Sequence, residues 1–114
     1  MTTARRIVLS CEHAGRRVPK RFGHLFDGRE AVLKTHRAYD IGIAPVAVGL
    51  QKALNCPLIR HDQTRLLIDV NRTRRRGLFS AFSRSLNGAD KHYLIDAYAM
   101  PYRERLRQTI RQAS

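Results

Sequence analysis

Short apolar runs alternate with amphipathic stretches along the chain, and the alternation predicts an α/β fold. Ile7-Val8-Leu9 leads into Ser10-Cys11-Glu12-His13-Ala14-Gly15. An apolar run closed by a turn signal reads as a buried strand, here Ile7–Cys11. Asp27 followed by Glu30 fits a capping box, with Phe26 placed to staple onto Ala31. A short helix is therefore expected over 28–35, with Glu30 and Lys34 spaced i, i+4. Ile43, Val46, Ala47, Leu50, Ala53 and Leu54 recur with helical period, and Pro45 suits a first turn. They predict a helix over 41–54 with one apolar stripe. Asn55-Cys56-Pro57 ends it, and Leu58–Arg60 reads as a second strand. A strand–helix–strand run of this length is a parallel βαβ unit.

Thr64 to Arg72 alternates in part. Leu66, Ile68 and Val70 share one parity; Arg65, Leu67, Asp69 and Asn71 share the other. A third strand is expected at Leu66–Val70, with its apolar face on the core and Arg65, Asp69 and Asn71 in a row on the other. Asn87-Gly88 is a turn signal. His92 to Met100 reads as a short helix. Pro101 opens another, with Tyr102, Leu106 and Ile110 at i, i+4, i+8. The expected fold class is α/β: one layered domain over 1–114 with a mainly parallel sheet.

Composition narrows the picture. At 114 residues and 43% hydrophobic, the chain can build one core. No apolar run approaches the ~20 residues that span a bilayer. The apolar stretch after Arg5-Arg6 is too short for a signal peptide, so a cytoplasmic location is expected. Cys11 and Cys56 then read as free thiols. Charge complicates this. There are 22 Lys plus Arg against 9 Asp plus Glu, a net +13. Such a balance is a footprint of nucleic-acid binding. Arg74-Arg75-Arg76, with Phe79 and Phe82 available for stacking, would serve a small basic binding module. No helix-turn-helix or zinc-finger pattern accompanies them, so nucleic-acid binding is expected only as nonspecific contact. An acidic half lying elsewhere would also account for the imbalance.

Candidate chemistry gathers at the end of the first strand, where Cys11, Glu12 and His13 are consecutive. Ligands in open α/β sheets sit at the carboxyl ends of strands. Asp40 lies near the amino end of the second predicted helix, where the dipole favours its ionised form as cap or ligand. Arg65 and Arg72 carry planar forks matched to a carboxylate.

Three stretches carry a family resemblance. Ser10-Cys11-Glu12-His13-Ala14-Gly15 with Val18-Pro19 resembles the opening motif of the N-formylglutamate amidohydrolase family. Thr35-His36-Arg37-Ala38-Tyr39-Asp40-Ile41-Gly42 is similar to its second motif, and Thr64 to Arg72 to its third, with Leu78-Phe79-Ser80 following. The resemblance spans nearly the whole chain but only the amino-terminal half of the family's usual domain. It implies the amino-terminal part of a zinc-carboxypeptidase-like fold (phosphorylase/hydrolase-like) and a zinc-dependent hydrolase of small N-acyl amino acids. His13 and Asp40 would be metal ligands, and Glu12 a ligand or the catalytic base. Arg65, Asp69, Asn71 and Arg72 would grip the substrate. The family pattern expects a further histidine in its second half. His24, His36, His61 and His92 do not stand in that motif and are expected as surface or capping residues. One copy would hold only part of a metal site, completed by an oligomeric partner or a carboxy-terminal half. A noncatalytic remnant is the remaining alternative.

Overall fold

The computed structural model describes residues 6–72 and 77–113, so the run Arg74–Arg76 lies outside the described residues. Strand β1 is Leu9–Cys11, helix α1 is Ile43–Leu54 and strand β2 is Leu58–Arg60. Helices α2 (Gly88–Leu94) and α3 (Met100–Ala113) are joined by a π turn at Ile95–Ala99. Single 3-10 helices occupy Lys20–Phe26 and Glu30–Lys34.

The predicted βαβ unit is present. β1 and β2 pair in parallel, Leu9 opposite Leu58 and Cys11 opposite Arg60, with α1 as the crossover. Gly42, at φ 83°, precedes α1, and Asn55, at φ 49°, ends it. Both conformations are left-handed, which Gly adopts freely and Asn tolerates.

The expected third strand does not form. Leu66, Leu67, Ile68 and Val70 are all buried, so the segment has no apolar and polar faces to alternate. Its turns arise from local side-chain bonds that compete with strand pairing. The Leu66 amide donates to the Thr64 hydroxyl (3.2 Å) and the Leu67 amide to the Thr64 carbonyl (3.1 Å). Farther on, the Asn71 amide donates to Asp69 Oδ1 (3.0 Å).

Two helix boundaries also differ from expectation. Asp27 does not cap a helix; it closes the 3-10 helix at Lys20–Phe26. Glu30 accepts from the Gly28 amide and not from the Asp27 amide that a capping box would use, and only a five-residue 3-10 helix follows. Phe26 is buried with Ala38, Leu66 and Phe82, and Val32 and Leu33 pack there in place of the exposed Ala31. At the other end, Asn87 is a true N-cap, its side chain accepting from the Asp90 amide at 2.8 Å. α2 therefore starts at Gly88, ahead of the expected His92. Pro101 does not begin a new helix. It sits inside a continuous one, directly after the π turn in which the Met100 amide donates to the Ile95 carbonyl, five residues back. Proline has no N–H for the ordinary bond and crowds the carbonyl four back; a widened turn accommodates both.

The main core joins Phe22, Ile59, Leu67, Ile68, Val70, Leu78, Leu94, Ile95, Ala99 and Tyr102. Cys11, Ala14 and Ala47 form a smaller cluster between β1 and α1. The radius of gyration is 15.7 Å, against about 13 Å for a compact domain of this length. The molecule is elongated, 58 × 27 × 23 Å. No described helix is long and apolar enough to cross a membrane.

A Cβ on Gly15 would lie 2.4 Å from the Asp62 carbonyl oxygen. Gly15→Ala is expected to cost about 1–3 kcal/mol by forcing the two strand-end loops apart. Gly49, within α1, has nothing within 4 Å of such a Cβ, and Gly49→Ala should gain up to about 1 kcal/mol. Denaturant midpoints of the two variants check the contrast; equal midpoints would contradict it.

Candidate active site

Parallel pairing brings the ends of β1 and β2 to one edge, and the loops leaving them stay side by side. The His61 amide donates to the Cys11 carbonyl (3.0 Å), Ala14 to His61 (3.2 Å) and Arg17 to Asp62 (3.0 Å). A further bond, from the Asp40 amide to the His13 carbonyl (2.9 Å), draws the start of the α1 region to the same place. The buried segment after Thr64 then delivers Arg65 and Asp69 from below.

His13 is the centre. Its Nε2 lies 2.8 Å from Asp69 Oδ1. On the ring's other side, Nδ1 is 3.3 Å from Arg65 Nη1 and 3.6 Å from Asp40 Oδ2. Since Arg65 can only donate, its bond requires an unprotonated Nδ1, and Nε2–H then donates to Asp69. Arg65 also lies 3.4 Å from Asp40 Oδ1 and donates to the carbonyls of Arg37 (2.9 Å) and His36. These backbone bonds fix the guanidinium at several points. Arg72 Nε stands 3.7 Å from Asp69 Oδ2 and is largely exposed. The hydrogen bond to Asp69 raises the His13 pKa, against the opposing pull of burial. Burial pushes Asp69 up, yet the bonds from His13 and the Asn71 amide outweigh it and hold its carboxyl below the usual range.

The structure thus brings His13, Asp40, Arg65, Asp69 and Arg72 together, with Asn71 joining through its backbone. Asp40 does not cap α1 with its side chain; Gly42 is the capping residue, without a side-chain bond. Glu12 is not drawn toward His13. Its Oε1 accepts from the Ser10 hydroxyl at 3.0 Å. His61 is a residue sequence reasoning missed. Expected on the surface, it is buried at 6% exposure, edge-on to Tyr98 and Tyr102. Burial drives its pKa down to about 4. The available signal was topological: it follows β2 as Glu12 follows β1. Cys11 and Cys56 are both free thiols, and burial raises Cys11 above the ordinary thiol range.

A catalytic zinc needs about three protein donors and an open position. His13 Nδ1 and the Asp40 carboxylate are near enough to share one ion, but no group of three His, Cys, Asp or Glu side chains suited to a metal occurs among the described residues. The Arg65 guanidinium already contacts both donors. The described residues therefore do not fit a complete zinc site.

Fold and site together define an α/β domain with a carboxylate–imidazole–guanidinium cluster at the ends of parallel strands. The chain belongs to the N-formylglutamate amidohydrolase family, whose model matches residues 5–114. A crystal structure of a gene product from Agrobacterium tumefaciens is similar, with a TM-score of 0.84 and 26% identity. The match covers 92% of this chain and 45% of that one, so this chain spans less than half the length of the similar protein. No curated protein matches the sequence.

Two titrations follow. His61 has a folded pKa below its unfolded value, so stability is full above about pH 6.5 and falls as pH drops toward 4. The shift corresponds to roughly 3 kcal/mol lost once pH is below both values. His61→Phe should flatten that acid limb in urea melts taken across pH 4–7. His13 has a raised folded pKa, so its contribution is full below about pH 6.5 and is lost as pH rises through the higher value. Asp69→Asn should return the His13 titration, followed by NMR, toward the ordinary imidazole value. A His13 pKa unmoved in that variant would remove the assigned cause.

Proposed function

We propose that this chain supplies the imidazole and carboxylate-binding part of a hydrolase acting on the linear amide of N-acyl amino acids, N-formylglutamate among them. The observation that carries it is the Asp69–His13 hydrogen bond, with Arg65 and Asp40 on the ring's other nitrogen. Family membership supports the amidohydrolase class. In this reading Arg72, exposed beside the cluster, takes the substrate carboxylate through its fork. Asn71, exposed next to Arg72 in the chain, is the second group proposed for the substrate. Asp69 is a positioning residue: held by His13 and the Asn71 amide, it sets the imidazole's tautomer and angle. Glu12 is the proposed base and must leave Ser10 to act.

The zinc-carboxypeptidase-like architecture and the zinc requirement belong to the same proposal. His13 Nδ1 and Asp40 are the donors this chain would bring to zinc, and Arg65 would have to withdraw from between them. With two donors, zinc binding by this chain alone is weak, and the open position is not fixed. Weak carboxylate binding with little or no turnover is the expected signature.

A zinc-supplemented deformylation assay on the purified chain, beside His13→Ala, tests this. Arg72→Ala should weaken N-formylglutamate binding roughly tenfold, read by NMR shifts. Robust turnover that His13→Ala abolishes would show that the site is complete without further donors. No binding in the parent chain would remove the substrate assignment.

A nucleic-acid module is the weaker reading. Phe82 is buried at 8% and stacked on Phe26, with ring centroids 5.0 Å apart, so it offers no platform to a base. Binding to DNA should be nonspecific and collapse between low and physiological salt. Sequence-selective binding that survives 150 mM salt, on the order of cellular ionic strength, would reinstate the module.

A further inference from the structure

We infer that the cleft between the end of β2 and α3 is a binding site for a small carboxylate anion of formate size, held by His61 and Arg105. The site itself rests on the cleft and its orphaned groups. The choice of formate rests on the proposed function, because hydrolysis of an N-formyl amino acid by one water gives the free amino acid and formate.

β2 ends at Arg60, and His61 follows it, edge-on to Tyr102 of α3. Beside this pair lies a cleft of about 140 Å³, lined by Arg60, His61, Tyr98, Tyr102 and Arg105, among others. That is room for about four or five waters, so the occupant is small.

His61 and Tyr102 are both 6% exposed, and each has a buried polar atom without a partner. Neither ring nitrogen of His61 is hydrogen-bonded among the described residues, and Nε2 is closed off from water. The Tyr102 hydroxyl stands near the Ser10 side chain and the Cys11 backbone without a bond to either. Orphaned groups at this depth are costly and call for an explanation. The aromatic walls offer none: the Tyr98 and Tyr102 rings meet the imidazole edge-on, with centroids 6.0 and 6.1 Å away.

The surroundings set the sign of the missing partner. Burial holds the His61 pKa down at about 4, so at pH 7 the ring is neutral and carries one N–H to donate. Two arginines and no carboxylate line the cleft. Arg60 is already paired with Asp62 at 2.7 Å. Arg105 makes no ion pair among the described residues, so its charge is left to the occupant. One N–H and one spare guanidinium suit a monoanion with two acceptor oxygens, which is a carboxylate. A single spare cation is a poor match for a phosphate dianion.

Arg105 is exposed and Tyr98 half-buried, so an anion can enter at that rim. None of His13, Asp40, Arg65, Asp69 and Arg72 lines the cleft. One backbone bond joins the two places: the Ala14 amide, next to His13, donates to the His61 carbonyl. An acid released at the cluster would thus meet this site from the neighbouring loop.

The test is a titration of sodium formate into the full chain at pH 7, at constant ionic strength made up with sodium chloride. NMR follows the His61 ring and the amides of 97–105. Expected are saturating shifts with a Kd on the order of a few millimolar, near the ceiling for a ligand of three heavy atoms. Arg105→Ala should weaken binding at least about fivefold; the side chain is exposed, so circular dichroism should not change. Asp62→Asn frees Arg60 and should tighten binding roughly two- to fivefold. His61→Phe should abolish saturation. Where that variant does not fold, the opposite signs of Arg105→Ala and Asp62→Asn decide. Shifts that grow linearly with formate, or that chloride alone reproduces, would overturn the inference and leave water as the occupant. Binding indifferent to Arg105→Ala, or inorganic phosphate binding more tightly than formate, would overturn it as well. Failure of N-formylglutamate to bind the parent chain, with the formate shifts intact, would instead strike the proposed function and leave the anion site standing.

Discussion

Everything in this molecule hangs on keeping a buried, irregular stretch of backbone satisfied. Thr64 to Val70 runs through the interior without strand pairing, and buried peptide groups without partners are costly. The Thr64 and Arg65 amides donate to the carbonyls of Arg17 and Ala38, and the Asp69 amide to that of Leu78. The Thr64 hydroxyl reaches the Ala38 carbonyl, and the Leu66 carbonyl accepts from the hydroxyls of both Ser80 and Ser83. Each bond ties a different part of the chain to one segment. The same bonds set where Arg65 and Asp69 emerge, so the requirement that stabilises the core also shapes the site.

How far the sequence foretold this depends on the residue. The βαβ unit was legible because a Leu58–Arg60 strand and a helix over 41–54 each carry their own periodicity and stop signals. Leu66 to Val70 was misread because partial alternation resembles a strand; Leu67, assigned to the polar parity, is fully buried. The turn chemistry of Thr64 and Asp69 was visible as residue type, but not as the partner each would choose. At the site, His13, Asp40, Arg65 and Arg72 were singled out and are gathered in space. Asp69 was expected to grip substrate; its hydrogen bond to the imidazole was not foreseen, since two residues 56 positions apart in sequence meet only through the fold. His61 was lost for the same reason: its burial is made by Tyr98 and Tyr102, far along the chain. The Phe79 and Phe82 pair looked like a stacking surface because composition cannot distinguish an exposed aromatic from one packed on Phe26.

The cluster around His13 balances itself. Three side chains of alternating charge surround one imidazole, with Asp69 on Nε2 and Arg65 beside Asp40 on Nδ1. A guanidinium held by two backbone carbonyls is an effective permanent cation. It neutralises Asp40 and keeps a lone pair on Nδ1 engaged. Arg65 thus already contacts both would-be metal donors, which is why family membership and the donor count give different impressions of this chain's competence.

The π turn ahead of Pro101 has a consequence for how the carboxy-terminal helix can be edited. A π turn holds about one residue more than an α turn, and one residue is about 100° of rotation. α3 is thus set a quarter-turn out of phase with α2, and that offset aims Tyr102 at His61 while Leu94 and Ile95 face the same core. One position in Ile95–Ala99 is surplus to an ordinary helix. Removing it together with the widening would restore ordinary hydrogen bonds up to the proline and leave α3 facing as it does, whereas a residue added or lost elsewhere in the helix, with no wide turn to absorb it, would rotate α3 about 100° off its seat. Length in this stretch therefore acts as a gear tooth between the two helical halves.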